Sequence, residues 1–250
     1  MDTINLKKFA VRSRQVLKNG VAKQLRALGF DADGRIEPYY LPLPMEGGYK
    51  WRNNIYDHRY YRKWVQLVHA IEKKGLDYVY EEAAYAWFNR LVAIRILEAN
   101  ELVTSEVLTP VDDIRTPQIL LDAQQGDLSP LDDTETEIVD LLLSENNDRP
   151  KLFAILINAW CHANPILKGC FGSVADFTEL LVPYDIMEVD NFLDMLTHTP
   201  YITKEDFKNP ELIGWLYQFY ISEKKDEVFA KKGKFEADDI PAATQIFTPN

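Results

Sequence analysis

Apolar positions recur three and four residues apart along most of this chain, the spacing that gives a helix one buried face. Over residues 3–28 the apolar set is Leu6, Phe9, Ala10, Leu17, Val21, Leu25 and Leu28, with Lys7, Lys8, Arg12, Arg14, Lys18 and Lys23 between them. That is a basic amphipathic helix. From 29 to 54 the period fails: Asp33-Gly34, Pro38, Pro42, Pro44 and Gly47-Gly48 punctuate a stretch holding Tyr39, Tyr40, Tyr49 and Trp51, which predicts a long aromatic and proline-rich loop. The helical period returns over 56–74 with Tyr60, Trp64, Leu67, Val68 and Ile71, and Gly75 ends it. Asp77 is expected to cap a helix over 78–100, whose Val79, Ala83, Ala86, Trp87, Leu91, Ile94 and Leu97 make it the spine of the core.

Beyond residue 100 the signals shorten. Residues 102–117 are turn-rich, with Val107, Leu108 and Val111 as a short extended piece. Helices are expected over 118–125 and 133–143, the second with Asp132 and Asp133 where negative charge suits the helix dipole. Pro150 opens another over 151–164, which stops before Pro165. Short helices follow over 174–181, 187–196 and 204–207. From 211 a last amphipathic helix buries Ile213, Leu216, Tyr217 and Tyr220 and runs into the charged stretch 222–227. No fixed period repeats, so a solenoid is disfavoured. The fold class is mainly α, an irregular multi-helix domain.

Charge changes this picture, because the net −11 is uneven. Residues 1–75 hold 15 Lys and Arg against 7 Asp and Glu, a balance of +8, which leaves −19 for the rest. A basic lobe docked on an acidic body and a phosphate-facing surface both fit that split. The candidates for DNA contact are Lys7, Lys8, Arg12, Arg14, Lys50, Arg52, Arg59, Arg62 and Lys63, with Tyr49 and Trp51 as rings that could stack on bases or plug the helical core.

Other chemistry is thin. His58, His69, His162 and His198 are dispersed, without the spacing that zinc needs. Cys161 cannot use the adjacent His162 as its base, since neighbouring helical residues point to different faces. The pairs Asp112-Asp113, Asp132-Asp133 and Asp238-Asp239 lack the flanking Glu and Lys of a nuclease, and solvated or capping roles suit them. The amino-terminal stretch is charged, and no run approaches a membrane span. With Cys161 and Cys170 expected as buried thiols, cytoplasm is the expected location.

A resemblance supplies what these signals do not. Gly214-Trp215-Leu216-Tyr217-Gln218-Phe219-Tyr220 through Phe229, then Asp239-Ile240-Pro241 through Gln245-Ile246-Phe247-Thr248-Pro249, is similar to the segment before the catalytic domain of PglX-type DNA adenine methyltransferases, the modification enzymes of BREX phage-defence systems. Ala84-Tyr85-Ala86-Trp87-Phe88-Asn89-Arg90-Leu91 resembles the same family's helical amino-terminal region, and Asp176-Phe177-Thr178-Glu179-Leu180-Leu181 and Glu205-Asp206-Phe207 echo it. The resemblance implies methyl transfer from S-adenosylmethionine to the exocyclic amine of adenine. It also implies that Phe247, Thr248 and Pro249 match the motif that opens the catalytic domain and contacts the cofactor's methionine end.

The expected organisation is therefore a helical domain over 1–235, basic over 1–75 and acidic over 76–235, followed by a truncated lead-in to the methyltransferase domain over 236–250. The partners it implies are that domain, DNA and other BREX proteins, with no membrane. Methyl transfer to a flipped adenine also needs a glycine-rich cofactor turn and an Asn- or Asp-Pro-Pro-aromatic loop, and this chain contains no Pro-Pro dipeptide. The chain by itself is expected to be inactive, with no catalytic residue and no metal. Two alternatives stay open: a module that recruits other defence proteins, and a piece of a combined restriction-modification enzyme.

Overall fold

A computed structural model describes residues 2–222, except 47, 52–53, 57, 110–115, 130, 146–147, 172–175 and 199–200. Arg52, Val111, Asp112, Asp113, Phe247, Thr248 and Pro249, the charged run after 222 and the stretch 236–250 lie outside the described residues.

The described chain is mainly helical. Helix α1 (Thr3–Ala27) starts where the Asp2 carboxylate accepts the N–H groups of Ile4 and Asn5 at 2.9 and 3.2 Å. Its whole predicted apolar stripe is buried. Helix α2 (His58–Lys74) turns into α3 (Leu76–Ala99) at Gly75, whose φ of 84° is left-handed and favours glycine there. Gly75, not Asp77, holds the capping position of α3; Asp77 sits inside the first turn, where its charge still suits the dipole.

The predicted loop is partly a sheet. Strands β1 (Leu43–Met45), β2 (Gly48–Trp51) and β3 (Asn54–Tyr56) form an antiparallel meander in chain order, with Pro44 opposite Tyr49 and Lys50 opposite Ile55. Its rings act as plugs: Trp51 donates its indole N–H to the Tyr40 carbonyl at 2.8 Å and lies 5.6 Å from Trp64, on which Phe30 stacks. Tyr49 stacks on Tyr61 with ring centroids 3.7 Å apart.

The stretch after α3 has no strand among its described residues; Val107 and Leu108 are buried in bends. One carboxylate organises it. Glu98, 2% exposed, accepts N–H bonds from Val107 at 2.7 Å and Leu108 at 2.6 Å, and Arg95 holds its other oxygen at 2.9 Å.

Helices α4 (Gln118–Gln124), α5 (Asp133–Glu145) and α6 (Arg149–Ala163) follow. Asp132 and Glu135 cap α5 reciprocally, each carboxylate accepting the other's N–H. Asn164 closes α6 and caps α7 (Pro165–Phe171) by accepting the N–H groups of Ile166 and Leu167. The short helices differ from expectation: Phe177–Leu180 and Asp206–Lys208 are single 3-10 turns, and α8 (Phe192–His198) starts later than the pattern suggests. Helix α9 (Leu212–Tyr220) buries Leu212, Leu216 and Tyr220. Ile213 lies 60% exposed, because the buried face is rotated by one position.

Helix α1 is the hub, packed against α3, α8 and α9. Phe88 and Phe192 stack with centroids 5.5 Å apart, Phe9 lies 6.2 Å from Phe192, and Tyr220 lies 4.5 Å from Phe88. Gly20 lets α1 touch the 183–185 turn. A Cβ there would lie 2.6 Å from that of Pro183, and the Tyr184 N–H donates to the Gly20 carbonyl at 3.0 Å.

Candidate functional site

The predicted cationic positions separate into two groups. Arg14 is 4% exposed, and its guanidinium grips Glu81 of α3 at 3.1 and 2.5 Å, an oxygen that Lys18 shares. This is a correction to its place among exposed phosphate contacts. Lys23 pairs with Asp185, Arg59 with Asp132 at 2.7 Å, and Lys63 with Glu179 at 2.5 Å. The basic first third is thus pinned to the acidic remainder at several points. Lys7, Lys8 and Arg12 remain exposed on α1, and Lys50 and Arg62 on β2 and α2, none with an ion pair among the described residues.

A cleft of about 720 Å³ opens between α1, α2, α6 and the turn Phe177–Leu180. One face of α6 lines it, through Lys151, Ala154, Ile155, Asn158 and His162, at the spacing of a single helical side. Glu179 lies at its floor with a side chain 2% exposed. Burial pushes this carboxyl up, but the His162 N–H at 2.9 Å, the Lys63 ammonium and the Arg90 guanidinium at 3.8 Å outweigh it and hold Glu179 at about 2. The carboxylate therefore stays charged in the interior.

Two of the stretches that carry the family resemblance, 84–91 and 176–181, meet here. Trp87 donates its indole N–H to the Thr178 carbonyl at 3.0 Å, and Arg90 donates to the Thr178 hydroxyl at 3.3 Å. Asp176 caps the turn by accepting the Thr178 N–H at 3.0 Å. Arg90 also lies 3.8 Å from the Glu179 carboxylate. The Glu179 cluster joins residues 63, 90, 162 and 179, a separation no local period reveals. Buried beside it, Cys161 has its thiol pushed up to about 12, chiefly by burial, so it is a poor nucleophile. Cys170, expected to be buried, is exposed.

An S-adenosylmethionine seat needs a glycine-rich passage from strand to helix. Among the described residues no glycine-rich turn joins a strand to a helix. No group of His, Cys, Asp or Glu among them could hold a metal, and no described helix is long and apolar enough to cross a membrane.

The fold and these surfaces define a mainly helical module with a bare cationic stripe and a polar-floored cleft. Sequence relatives say what it is a module of. No family profile matches the chain. It is 34% identical over 254 residues to adenine-specific methyltransferase BrxX of Escherichia coli O9:H4 (strain HS), a match covering 100% of this chain and 21% of that protein. It is 32% identical over 267 residues to adenine-specific methyltransferase PglX of Lacticaseibacillus casei (strain Zhang), covering 100% of this chain and 22% of that protein. The chain is a relative of the PglX-type adenine-specific methyltransferases and spans about a fifth of the length of the two it matches.

Proposed function

We propose that this chain is the helical module of a site-specific, S-adenosylmethionine-dependent adenine DNA methyltransferase of a BREX phage-defence system. The observation that carries the reading is the similarity along the entire chain to two named adenine-specific methyltransferases. The module packs on the catalytic domain through residues 211–228, and Phe247, Thr248 and Pro249 lie beside the cofactor there. Its own role is to position that domain and to add phosphate contacts from Lys7, Lys8 and Arg12. A stripe of cations on one exposed helix face gains affinity by releasing counterions from DNA, without reading sequence.

None of its residues performs methyl transfer, because the chain has no Pro-Pro-aromatic loop to grip a flipped base. The test is transfer of labelled methyl groups to adenine in duplex DNA, comparing the longer polypeptide that contains this chain with the 250-residue chain alone. The reading expects label from the longer polypeptide and none from the chain alone. Absence of adenine methylation by the longer polypeptide, with its cofactor bound, contradicts it.

A further inference from the structure

Helix α5 is the least anchored wall of the cleft. Its principal neighbour is α6, and Val139 and Leu142 are its buried contacts, whereas α3 packs on α1, α2, α8 and the turns Phe177–Leu180 and Asp206–Lys208. Glu135 and Ile138, three residues apart on one side of α5, line the same cleft as Arg59, Tyr60 and Lys63 of α2. Burial pushes the Glu135 carboxyl up, against the pull of Arg59 and Lys63. An ion pair crosses the mouth between the two helices: Arg59 Nη2 lies 2.7 Å from Asp132 Oδ2, with the side chains 47% and 43% exposed. Asp132 and Glu135 also cap each other, which makes the first turn of α5 a rigid unit. Beyond its other end the chain enters α6 through Asp148, whose φ of 45° and ψ of 50° are left-handed in a residue other than glycine.

We propose that α5 is a hinged lid on the α6 cleft, turning about Asp148 and latched to α2 by Arg59 and Asp132. A half-exposed ion pair is weak and is screened by salt, so it holds the closed position without locking it. Opening costs that pair and part of the Val139 and Leu142 contact, and it spares the packing of α1, α3, α8 and α9. As the amino-terminal turns of α5 lift away, Glu135 and Ile138 leave the cleft wall and the Glu179 floor becomes open from that side. The latch sets how often the cleft is open, and a group that competes for Arg59 shifts that balance. The inference concerns this chain alone and rests neither on the activity of a longer polypeptide nor on phosphate contact by α1.

The test is native-state hydrogen exchange of the whole chain, read by mass spectrometry at two salt concentrations and in low urea, for the parent and for Arg59→Gln, Arg59→Lys and Asp132→Asn. In the parent, α5 exchanges faster than α1, α3 and α6. Low urea changes its rate little while raising that of α3, the mark of a local opening as against global unfolding. Arg59→Gln lies on α2 yet speeds exchange in α5 by roughly two- to fivefold, the range an exposed ion pair supplies, and leaves α3 unchanged. Asp132→Asn keeps a good capping side chain and reproduces that effect, while Arg59→Lys retains most of the protection. Added salt speeds α5 in the parent and not in Arg59→Gln. Exchange of α5 only through global unfolding, at the rate of α3, overturns the lid. An α5 rate that Arg59→Gln and Asp132→Asn both leave unchanged, or a change shared equally by every helix, overturns the latch and the proposal with it.

Discussion

On the α8 and α9 side of α1 the buried contacts are chiefly ring against ring, Phe9, Phe88 and Phe192 with Tyr220. On the α2 and α6 side the interior holds a charged carboxylate, Glu179, with Arg90 buried beside it, Lys63 half-buried and His162 reaching it from the surface, and the Asn158 Oδ1 without a partner among the described residues. The first side is mostly shape complementarity, although it buries the Tyr220 hydroxyl without a partner among the described residues, close to the Arg14–Glu81 pair. The second keeps an ionic cluster whose members come from distant parts of the chain, and such a cluster is stable only while every partner is in place.

Substitutions at the centre of each side should have the greatest effect. Phe192→Ala opens a cavity between α1 and α3, and urea unfolding should show a loss of about 3–5 kcal/mol. Glu179→Ala leaves Lys63, His162 and Arg90 without their shared anion. Removing one partner of a buried ionic cluster costs about 3–5 kcal/mol, again read from urea unfolding. The pH dependence separates the two sides. Glu179 is held at about 2 when folded, below the ordinary 4.5. The unfolded chain therefore binds the proton first: the stability from Glu179 is full above about 4.5 and is lost as pH falls toward about 2. Glu179→Gln should flatten that acid slope, whereas Phe192→Ala should lower the whole curve and keep it.

Changes of smaller expected effect sharpen the contrast. Gly20→Ala drives a methyl group into Pro183, and the rigid ring cannot swing aside; a loss of about 1–3 kcal/mol is expected from thermal unfolding. Asn158→Leu should leave stability within about 1 kcal/mol of the parent or raise it, since Oδ1 has no hydrogen-bond partner among the described residues. A structural role for the amide would instead appear as a clear loss of stability. Charge reversal at Lys7, Lys8 and Arg12 should move stability by no more than about 0.5 kcal/mol each, because the three are exposed and unpaired among the described residues.

Much of the ring-packed side was legible in the sequence. The period of α1 names Leu6, Phe9, Ala10, Leu17, Val21, Leu25 and Leu28, and all are buried; the spine of α3 is named almost as fully. Local period suffices for α1 because it buries one continuous face, whereas α3 is buried on nearly all sides and its period names only part of its core. The meander escaped because its strands are three or four residues long and punctuated by Pro44 and Gly47-Gly48, too short to show alternation. The polar side was hidden for a different reason. Glu179, Asn158 and Arg14 look like any surface residue in sequence, and only long-range partners reveal them as buried. Arg14 shows the hazard, since composition groups it with Lys7, Lys8 and Arg12 while its place on α1 turns it toward Glu81.

The claim that the bare stripe of α1 faces DNA is tested most directly by the anisotropy of a labelled duplex titrated with the chain at several salt concentrations. The Lys7→Glu, Lys8→Glu, Arg12→Glu variant is run in parallel, with Arg14 left in place to preserve its pair with Glu81. The account predicts binding that weakens steeply and linearly on a log–log plot against salt, and a shallower slope and weaker binding in the variant. No duplex binding at low salt, or equal binding by the variant, contradicts it and leaves the basic third as a face that docks on the chain's own acidic body.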